Sequence, residues 1–127
     1  MNEHKEIVTK FWKAFGEARF ADARPLLHPN IVVYWPNTRE MFKGRDRFIR
    51  ANEEYPGRWI ISLARLVSEN DTVVSVVYVE SADRAASFYA TSFFTFRDGL
   101  ITEITEYWCD CGEPPAWRIE KGLSERY

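Results

Sequence analysis

The sequence predicts an α+β domain in which N-terminal helices pack on one face of a curved, mostly antiparallel sheet. Apolar residues recur at helical spacing early in the chain, whereas residues 58–108 form alternating runs joined by short turns. Helices that precede a series of strands are typical of this class. Each run spans about ten residues, which is long for a strand, so the sheet must twist and coil.

The first helix is expected to begin after Asn2, whose side chain can cap it. Its apolar residues recur three and four positions apart, on the face opposite Lys10, Lys13 and Glu17. This stripe comprises Ile7, Val8, Phe11, Trp12, Phe15 and Ala18. Gly16 weakens the end of the helix.

A short second helix is predicted at residues 22–27. It tolerates Pro25 because this residue falls in the first turn, and the sequence HPN at 28–30 is expected to end it. The β-branched and aromatic run at 31–35 then predicts a strand, which Pro36 ends.

A loop is expected to carry Met41 and Phe42 to Gly44, where a third helix begins. Phe48, Ile49 and Asn52 share one side of that helix, and the sequence YPG at 55–57 terminates it.

Four successive antiparallel strands are predicted after the third helix. They cover residues 58–68, 72–81, 87–97 and 100–108. The last two are joined by Asp98 and Gly99, which best tolerate the positive φ of a two-residue turn. A chain of 127 residues can bury a core of its own, so we expect one domain over residues 1–127.

The composition favours a ligand pocket and argues against several classes of partner. Aromatic residues make up 16% of the chain, including five Trp and nine Phe, and such residues often line concave sites. The net charge of −2 is spread without a basic stripe, so nucleic acid and membranes are not expected as partners. The N-terminus lacks the charge pattern and apolar segment of a signal peptide, which predicts a cytoplasmic protein.

No cofactor or metal site is predicted. Cys109 and Cys111 are separated by a single residue, which is too close for an easy disulfide between them. Structural zinc sites usually have two to four residues between paired cysteines, and no histidine lies near these two. The sequence also has no glycine-rich phosphate loop.

The end of the last strand carries the candidate catalytic residues, Glu106 and Asp110. If the strand stays extended through Asp110, both carboxylates lie on the same face as Ile104 and Trp108. Burial beside an indole would raise the pKa of a carboxyl group toward the range used for proton transfer. In the alternative interpretation, Glu106 lies on the outer face or pairs with an arginine, and Asp110 caps the turn into Gly112.

Aromatic and polar residues on other elements are candidates for binding the ligand. Alternation places Tyr34 and Trp35 on opposite faces, and we expect Trp35 to face inward with Trp108. The other candidates are Trp12, Phe15, Phe48, Asn52, Trp59, Tyr78 and Tyr89. Aromatic residues at helical spacing are also typical of a plain core, whereas a tyrosine buried in a sheet needs a polar partner that a ligand can supply.

The order of elements and three segments resemble the SnoaL-like branch of the nuclear transport factor 2-like superfamily. The segments are FWKAF at 11–15, HPNIVVYWP at 28–36 and DGLITEITEYW at 98–108. The resemblance implies a cone-shaped α+β barrel, an apolar pocket between helices and sheet, and a homodimer formed through the outer sheet face. It also implies an aspartate late in the chain as acid and base, for which Asp110 is the nearest match.

Members of this superfamily include polyketide cyclases, steroid isomerases and dehydratases, as well as proteins without a known reaction. The resemblance therefore implies a small apolar or aromatic ligand and cofactor-independent acid–base chemistry next to a carbonyl group. The base, tyrosine and second acid of the ketosteroid isomerases cannot all be placed here by motif. The alternative is a non-catalytic ligand-binding or dimerisation module, because fold does not determine chemistry.

Overall fold

The computed structural model describes residues 2–127, in which helices precede a six-stranded mixed sheet. The helices are α1 (Glu3–Gly16), α2 (Phe20–Ala23), α3 (Arg45–Glu53) and α4 (Ala116–Glu120). The strands are β1 (Leu27–Trp35), β2 (Glu40–Lys43), β3 (Trp59–Glu69), β4 (Thr72–Ser81), β5 (Ser87–Arg97) and β6 (Leu100–Asp110). The predicted α+β class is confirmed.

Helix α1 is capped as predicted and lies across the sheet. The side chain of Asn2 accepts a hydrogen bond from the Lys5 backbone N–H at 3.2 Å. Its apolar stripe buries Val8, Phe11 and Trp12 against β3 and β4. We call the sheet face beneath α1 the inner face and the opposite one the outer face.

The strands are ordered β2-β1-β6-β5-β4-β3, so β2 and β3 form the two open edges. Strand β1 runs parallel to β6, and every other neighbouring pair is antiparallel. This agrees with the prediction of a mostly antiparallel sheet. Helix α3 packs against β1 and β2 at the edge away from α1.

The segment between α1 and β1 differs from the prediction of one helix at 22–27. Helix α2 ends at Ala23, and a separate 3-10 turn, Arg24–Leu26, contains Pro25. The proline has no backbone N–H to continue an α-helix. Residues 28–30 lie within β1 instead of stopping a helix, and the pairing of β1 with β6 is irregular between Leu27 and Val32.

The predicted loop through Met41 and Phe42 is wrong, since both residues lie in β2. Phe42 pairs with Val33 and Met41 with Tyr34 in an antiparallel ladder. A strand of four residues with two charged ends shows too little alternation to be recognised from sequence.

Bulges shift which residues face inward on two strands. In β3, Leu63 pairs with Val77 and Arg65 with Val76, so Ala64 is an extra residue between them. In β6, Thr102 is extra in the same way, because Ile101 pairs with Phe96 and Glu103 with Thr95. Residues three positions apart, such as Ile101 and Ile104, therefore reach the same buried face.

The core fills one end of the inner face, which we call the packed end. Phe11 is fully buried there, with its ring 5.2 Å from that of Phe94 in an edge-to-face contact. Val8, Val73 and Ile101 are also fully buried. Among residues 2–127, no helix combines the length and the apolar composition needed to cross a bilayer.

Candidate active site

A cavity of about 430 Å³ lies at the other end of the inner face, which we call the open end. Its volume is in the range of small-molecule sites. The walls come from α1, the segment between α3 and β3, and the inner face of the sheet. The lining includes Trp12, Phe15, Phe20, Trp35, Asn52, Tyr55, Arg58, Trp59, Ile61, Val79, Phe88, Glu106 and Trp108.

A row of three buried polar residues separates the packed end from the open end. Ser75, Ser92 and Glu106 lie directly opposite one another on β4, β5 and β6, and we call them the polar row. Ser92 Oγ donates to Glu106 Oε2 at 2.9 Å. At the other end of the row, Trp12 Nε1 donates to Ser75 Oγ at 2.9 Å.

Glu106 is the acidic residue of the polar row and also lines the cavity. Its side chain is held from both sides, because Trp35 Nε1 donates to Oε1 at 2.9 Å while Ser92 donates to Oε2. Only 8% of the residue is exposed, and this burial raises the pKa of its carboxyl group. The two hydrogen bonds partly oppose that rise by stabilising the carboxylate.

A serine hydroxyl can donate to a carboxylate or accept from a carboxylic acid. Ser92 can therefore remain hydrogen-bonded to Glu106 in both protonation states. A general acid–base group must take up and return a proton. In this arrangement Glu106 can do so without losing its hydrogen bond to Ser92.

A continuous strip of aromatic rings forms the wall beside Glu106. Trp35 and Trp108 meet edge to face with ring centroids 5.4 Å apart. The ring centroid of Phe88 lies 6.1 Å from that of Trp108 and 5.8 Å from that of Trp59. Such a wall suits a flat, largely apolar molecule.

The structure brings together seven of the residues predicted for the site. They are Trp12, Phe15, Trp35, Asn52, Trp59, Glu106 and Trp108. Glu106 is on the inner face and forms no ion pair in the described residues, in contrast to the alternative of an outer or arginine-paired position.

Phe48, Tyr78 and Tyr89 do not line the cavity, so their predicted positions are wrong. Phe48 is only 1% exposed and packs among core rings. Its ring centroid lies 6.4 Å from that of Phe11 and 6.1 Å from that of Phe42. Tyr78 and Tyr89 pair on the outer face, where the Tyr78 hydroxyl donates to Glu80 at 2.9 Å. Val77 and Val79 take the inner positions of β4, and the period of two then turns Tyr78 outward.

Asp110 also lies outside the cavity, although β6 stays extended through it as expected. It is the last residue of the strand, opposite Phe88, and its side chain is exposed. The expectation of a pocket position is wrong because the strand reaches the rim of the sheet there. The pocket carboxylate at this end of β6 is Glu106.

Ser75 and Ser92 are the polar partners that the sequence analysis missed. Both stand within runs of apolar or aromatic residues on strands that were correctly predicted. Register carried back from the Asp98-Gly99 turn would have set Ser92 opposite Thr105, and the bulge at Thr102 moves it opposite Glu106. Within residues 2–127, no group of three or more His, Cys, Asp or Glu side chains is arranged to hold a metal ion.

Residues 8–104 match the sequence model of the SnoaL-like domain family. A candidate ketosteroid isomerase from Kribbella flavida is 26% identical, with a TM-score of 0.86 over 98% of this chain and 90% of that one. An NTF2-like protein of unknown function from Burkholderia xenovorans is 19% identical, with a TM-score of 0.83 over 98% of this chain and 95% of that one.

A candidate SnoaL-like polyketide cyclase from Jannaschia is 16% identical, with a TM-score of 0.72 over 84% of this chain and 85% of that one. The Burkholderia and Jannaschia likenesses show a shared fold. A comparison with curated proteins gave no match.

Proposed function

The chain belongs to the SnoaL-like domain family, and on this basis we propose that it is a cofactor-independent acid–base enzyme. Its substrate is a small, largely apolar molecule, and the reaction is an isomerisation, cyclisation or dehydration next to a carbonyl group. The observation that carries the proposal is the carboxyl group of Glu106 in an aromatic cavity, held by Trp35 and Ser92.

Glu106 acts as the proton shuttle in this proposal. Its carboxylate removes a proton from the carbon next to the carbonyl, and the electrons of the broken C–H bond move toward the carbonyl oxygen. The carboxylic acid formed then returns the proton to carbon or to a leaving oxygen. Burial supports this role because it raises the pKa of Glu106 toward neutrality, where proton transfer is most efficient.

The Kribbella flavida neighbour supports a carbonyl-containing substrate, since it is a candidate ketosteroid isomerase of similar fold across nearly the whole chain. An identity of 26% does not carry over the neighbour's substrate, so the substrate of the present protein is inferred from its own cavity. The aromatic strip favours a flat ring system over a flexible polar one.

A non-catalytic ligand-binding module is the competing function. In this function Glu106 has a structural role only. The hydrogen bonds from Trp35 and Ser92 satisfy its buried carboxyl group in that role as well. The two functions share the cavity and differ in whether a proton moves.

Proton exchange in D₂O separates the two functions without knowledge of the natural substrate. We expect the protein to accelerate exchange of the protons next to the carbonyl of 1-tetralone, followed by NMR. Glu106→Gln should lower the rate by about 100-fold or more, the usual contribution of a general base. Asp110→Asn is the matched control and should exchange at the wild-type rate, because Asp110 lies outside the cavity.

A ligand that binds wild-type protein but exchanges no faster than in Glu106→Gln would favour the binding module. Native mass spectrometry of freshly purified protein, compared with a denatured extract, provides the companion measurement. A retained small molecule reveals the chemical class of the ligand in either case.

We also propose a homodimer through the outer face of the sheet. That face exposes large apolar side chains that a monomer would leave in water, among them Phe93 at 41% and Tyr107 at 49% exposure. Their rings pack edge to face on neighbouring strands, which makes a contiguous surface. Sedimentation at several concentrations would show whether a second copy covers it.

A further inference from the structure

The four tryptophans that line the cavity differ in what their indole N–H groups do. Three of them donate within the protein, each at 2.9 Å: Trp12 to Ser75, Trp35 to Glu106, and Trp59 to the backbone oxygen of Pro56. The fourth, Trp108, makes no side-chain hydrogen bond to any residue in the range 2–127. An indole N–H can only donate, and a partly buried one usually has an acceptor.

We propose that the Trp108 N–H is the donor that binds the carbonyl oxygen of the ligand, and that the cavity takes neutral, apolar carbonyl compounds. The inference rests on the proposed function and names the ligand class of the same site. It assigns Trp108 a polar role beyond its contribution to the apolar wall.

The position of Trp108 relative to Glu106 supports this role. The two residues are two positions apart on β6 and both line the cavity, so their backbones lie about 7 Å apart along the strand. A ligand between their side chains can present its carbonyl oxygen to the indole and the adjacent carbon to the carboxylate.

Trp108 is also held in place before any ligand arrives. Its backbone N–H donates to Asn37 Oδ1 at 3.0 Å, and its backbone oxygen accepts from Asn37 Nδ2 at 2.6 Å. Its ring is supported by Trp35 on one side and by Phe88 on another. A donor fixed in this way binds an acceptor with little loss of conformational entropy.

Other donors in the lining are partly engaged or exposed. Asn52 uses one of its two Nδ2–H donors on the backbone oxygen of Phe48 at 2.9 Å. Tyr55 and Arg58 are exposed, so water competes for their donors. A carboxylate ligand would place a second acid near Glu106, and the one cation in the lining, Arg58, is exposed.

The reaction assigned to Glu106 would use the same donor. When Glu106 removes the proton, the C–H electrons form a C=C bond and the carbonyl oxygen becomes an enolate oxygen. The hydrogen bond from Trp108 strengthens as that charge develops, and it weakens again when Glu106 returns the proton to carbon.

A pair of matched ligands tests the assignment. 1-Tetralone and tetralin have nearly the same shape, and only the first has a carbonyl. We expect Trp108→Phe to lower the ratio of tetralone to tetralin affinity by about 2- to 10-fold, the value of one hydrogen bond. Trp59→Phe should leave the ratio unchanged, because the Trp59 N–H is already bonded to Pro56.

Isothermal titration calorimetry of both ligands gives this ratio, in which the loss of ring surface cancels. An equal loss of affinity for the two ligands in Trp108→Phe would overturn the assignment, because it would show that only the ring matters. If wild-type protein binds neither ligand, both the proposed function and this inference fail. If it binds both but Trp108→Phe keeps the wild-type ratio, only the inference fails.

A measurement on the unmutated protein covers the case in which Trp108→Phe does not fold. In a ¹H–¹⁵N spectrum of the indole region, tetralone should move the Trp108 Nε1–H signal downfield while tetralin should not. Equal movement with both ligands contradicts a hydrogen bond to the carbonyl.

Discussion

The packed end and the open end of the inner face share the same strands and the same covering helix, yet only one of them is filled. At the packed end, Val8, Phe11 and Phe94 interlock without any polar atom in their side chains. At the open end, Trp12 and Trp35 are tied to the sheet by hydrogen bonds to the polar row. Large side chains do not by themselves fill a core. The indole rings of Trp12 and Trp35 are held against the cavity walls by their N–H groups, so the space between the walls stays open.

Removal of one aromatic ring should destabilise the packed end far more than the open end. Phe11→Ala should lower the free energy of unfolding by about 3–5 kcal/mol, because it opens a cavity in a closely packed region. Phe15→Ala, one turn further along α1, should lower it by less than half as much, since Phe15 already borders empty space. Chemical denaturation of both variants measures the difference, and equal losses would contradict the distinction between the ends.

An intermediate effect is expected when an anchoring hydrogen bond is removed. Trp35→Phe deletes the donor to Glu106 and should destabilise the protein by about 1–3 kcal/mol at pH 8, where that carboxyl group is more ionised. The loss of stability should be smaller at pH 4, because a hydrogen bond to a neutral carboxylic acid is weaker than one to a carboxylate.

Trp12→Phe is the matched control for this comparison. Its lost partner, Ser75, does not titrate, so its destabilisation should be the same at both pH values. Denaturation midpoints of the two variants at pH 4 and pH 8 test the contrast. A pH-independent loss in Trp35→Phe would show that Glu106 does not change its charge in this interval.

The smallest effect concerns the charge of the polar row itself. Because burial raises the pKa of Glu106 in the folded state, its contribution to stability is complete below its unfolded pKa of about 4.3. That contribution is lost as the pH rises through the higher pKa of the folded protein. Each pKa unit by which the folded value exceeds the unfolded one corresponds to about 1.4 kcal/mol.

Glu106→Gln should therefore flatten the decline of stability above pH 4, with the variant equal to or more stable than the wild type at pH 8. The glutamine can still accept from Trp35, which keeps the comparison to charge alone. Thermal unfolding between pH 4 and pH 8 provides the measurement. A variant that follows the wild-type curve would show that another group causes the decline.

The sequence predicted most of the fold because alternation and turn residues act locally. The turn at Asp98 and Gly99 sets the first two pairs of β5 and β6, before a bulge shifts the register by one residue, and β6 remains extended past Trp108. Ala64 and Thr102 were not predicted as bulges, because the one-residue shift that each causes in the alternation is a weak signal in so short a run.

The candidate site was only partly predictable, for a different reason. Alternation gives the face on which a side chain lies but not where along the strand the cavity begins and ends. Asp110 has the parity of Glu106, yet it lies past the point where α1 and the sheet enclose a volume. Tyr78 and Tyr89 were placed inside because a phenol needs a partner, although Glu80 supplies one on the outer face.

The bulge at Ala64 interrupts an exposed edge of the sheet at which two copies of the protein could pair at high concentration. Strand β3 is a long edge of the sheet, with an unpaired row of backbone groups that another chain could extend into a fibril. The extra residue bends the strand halfway along, and the exposed charge of Arg65 follows it directly. Both features disfavour regular pairing of this edge with the edge of another chain.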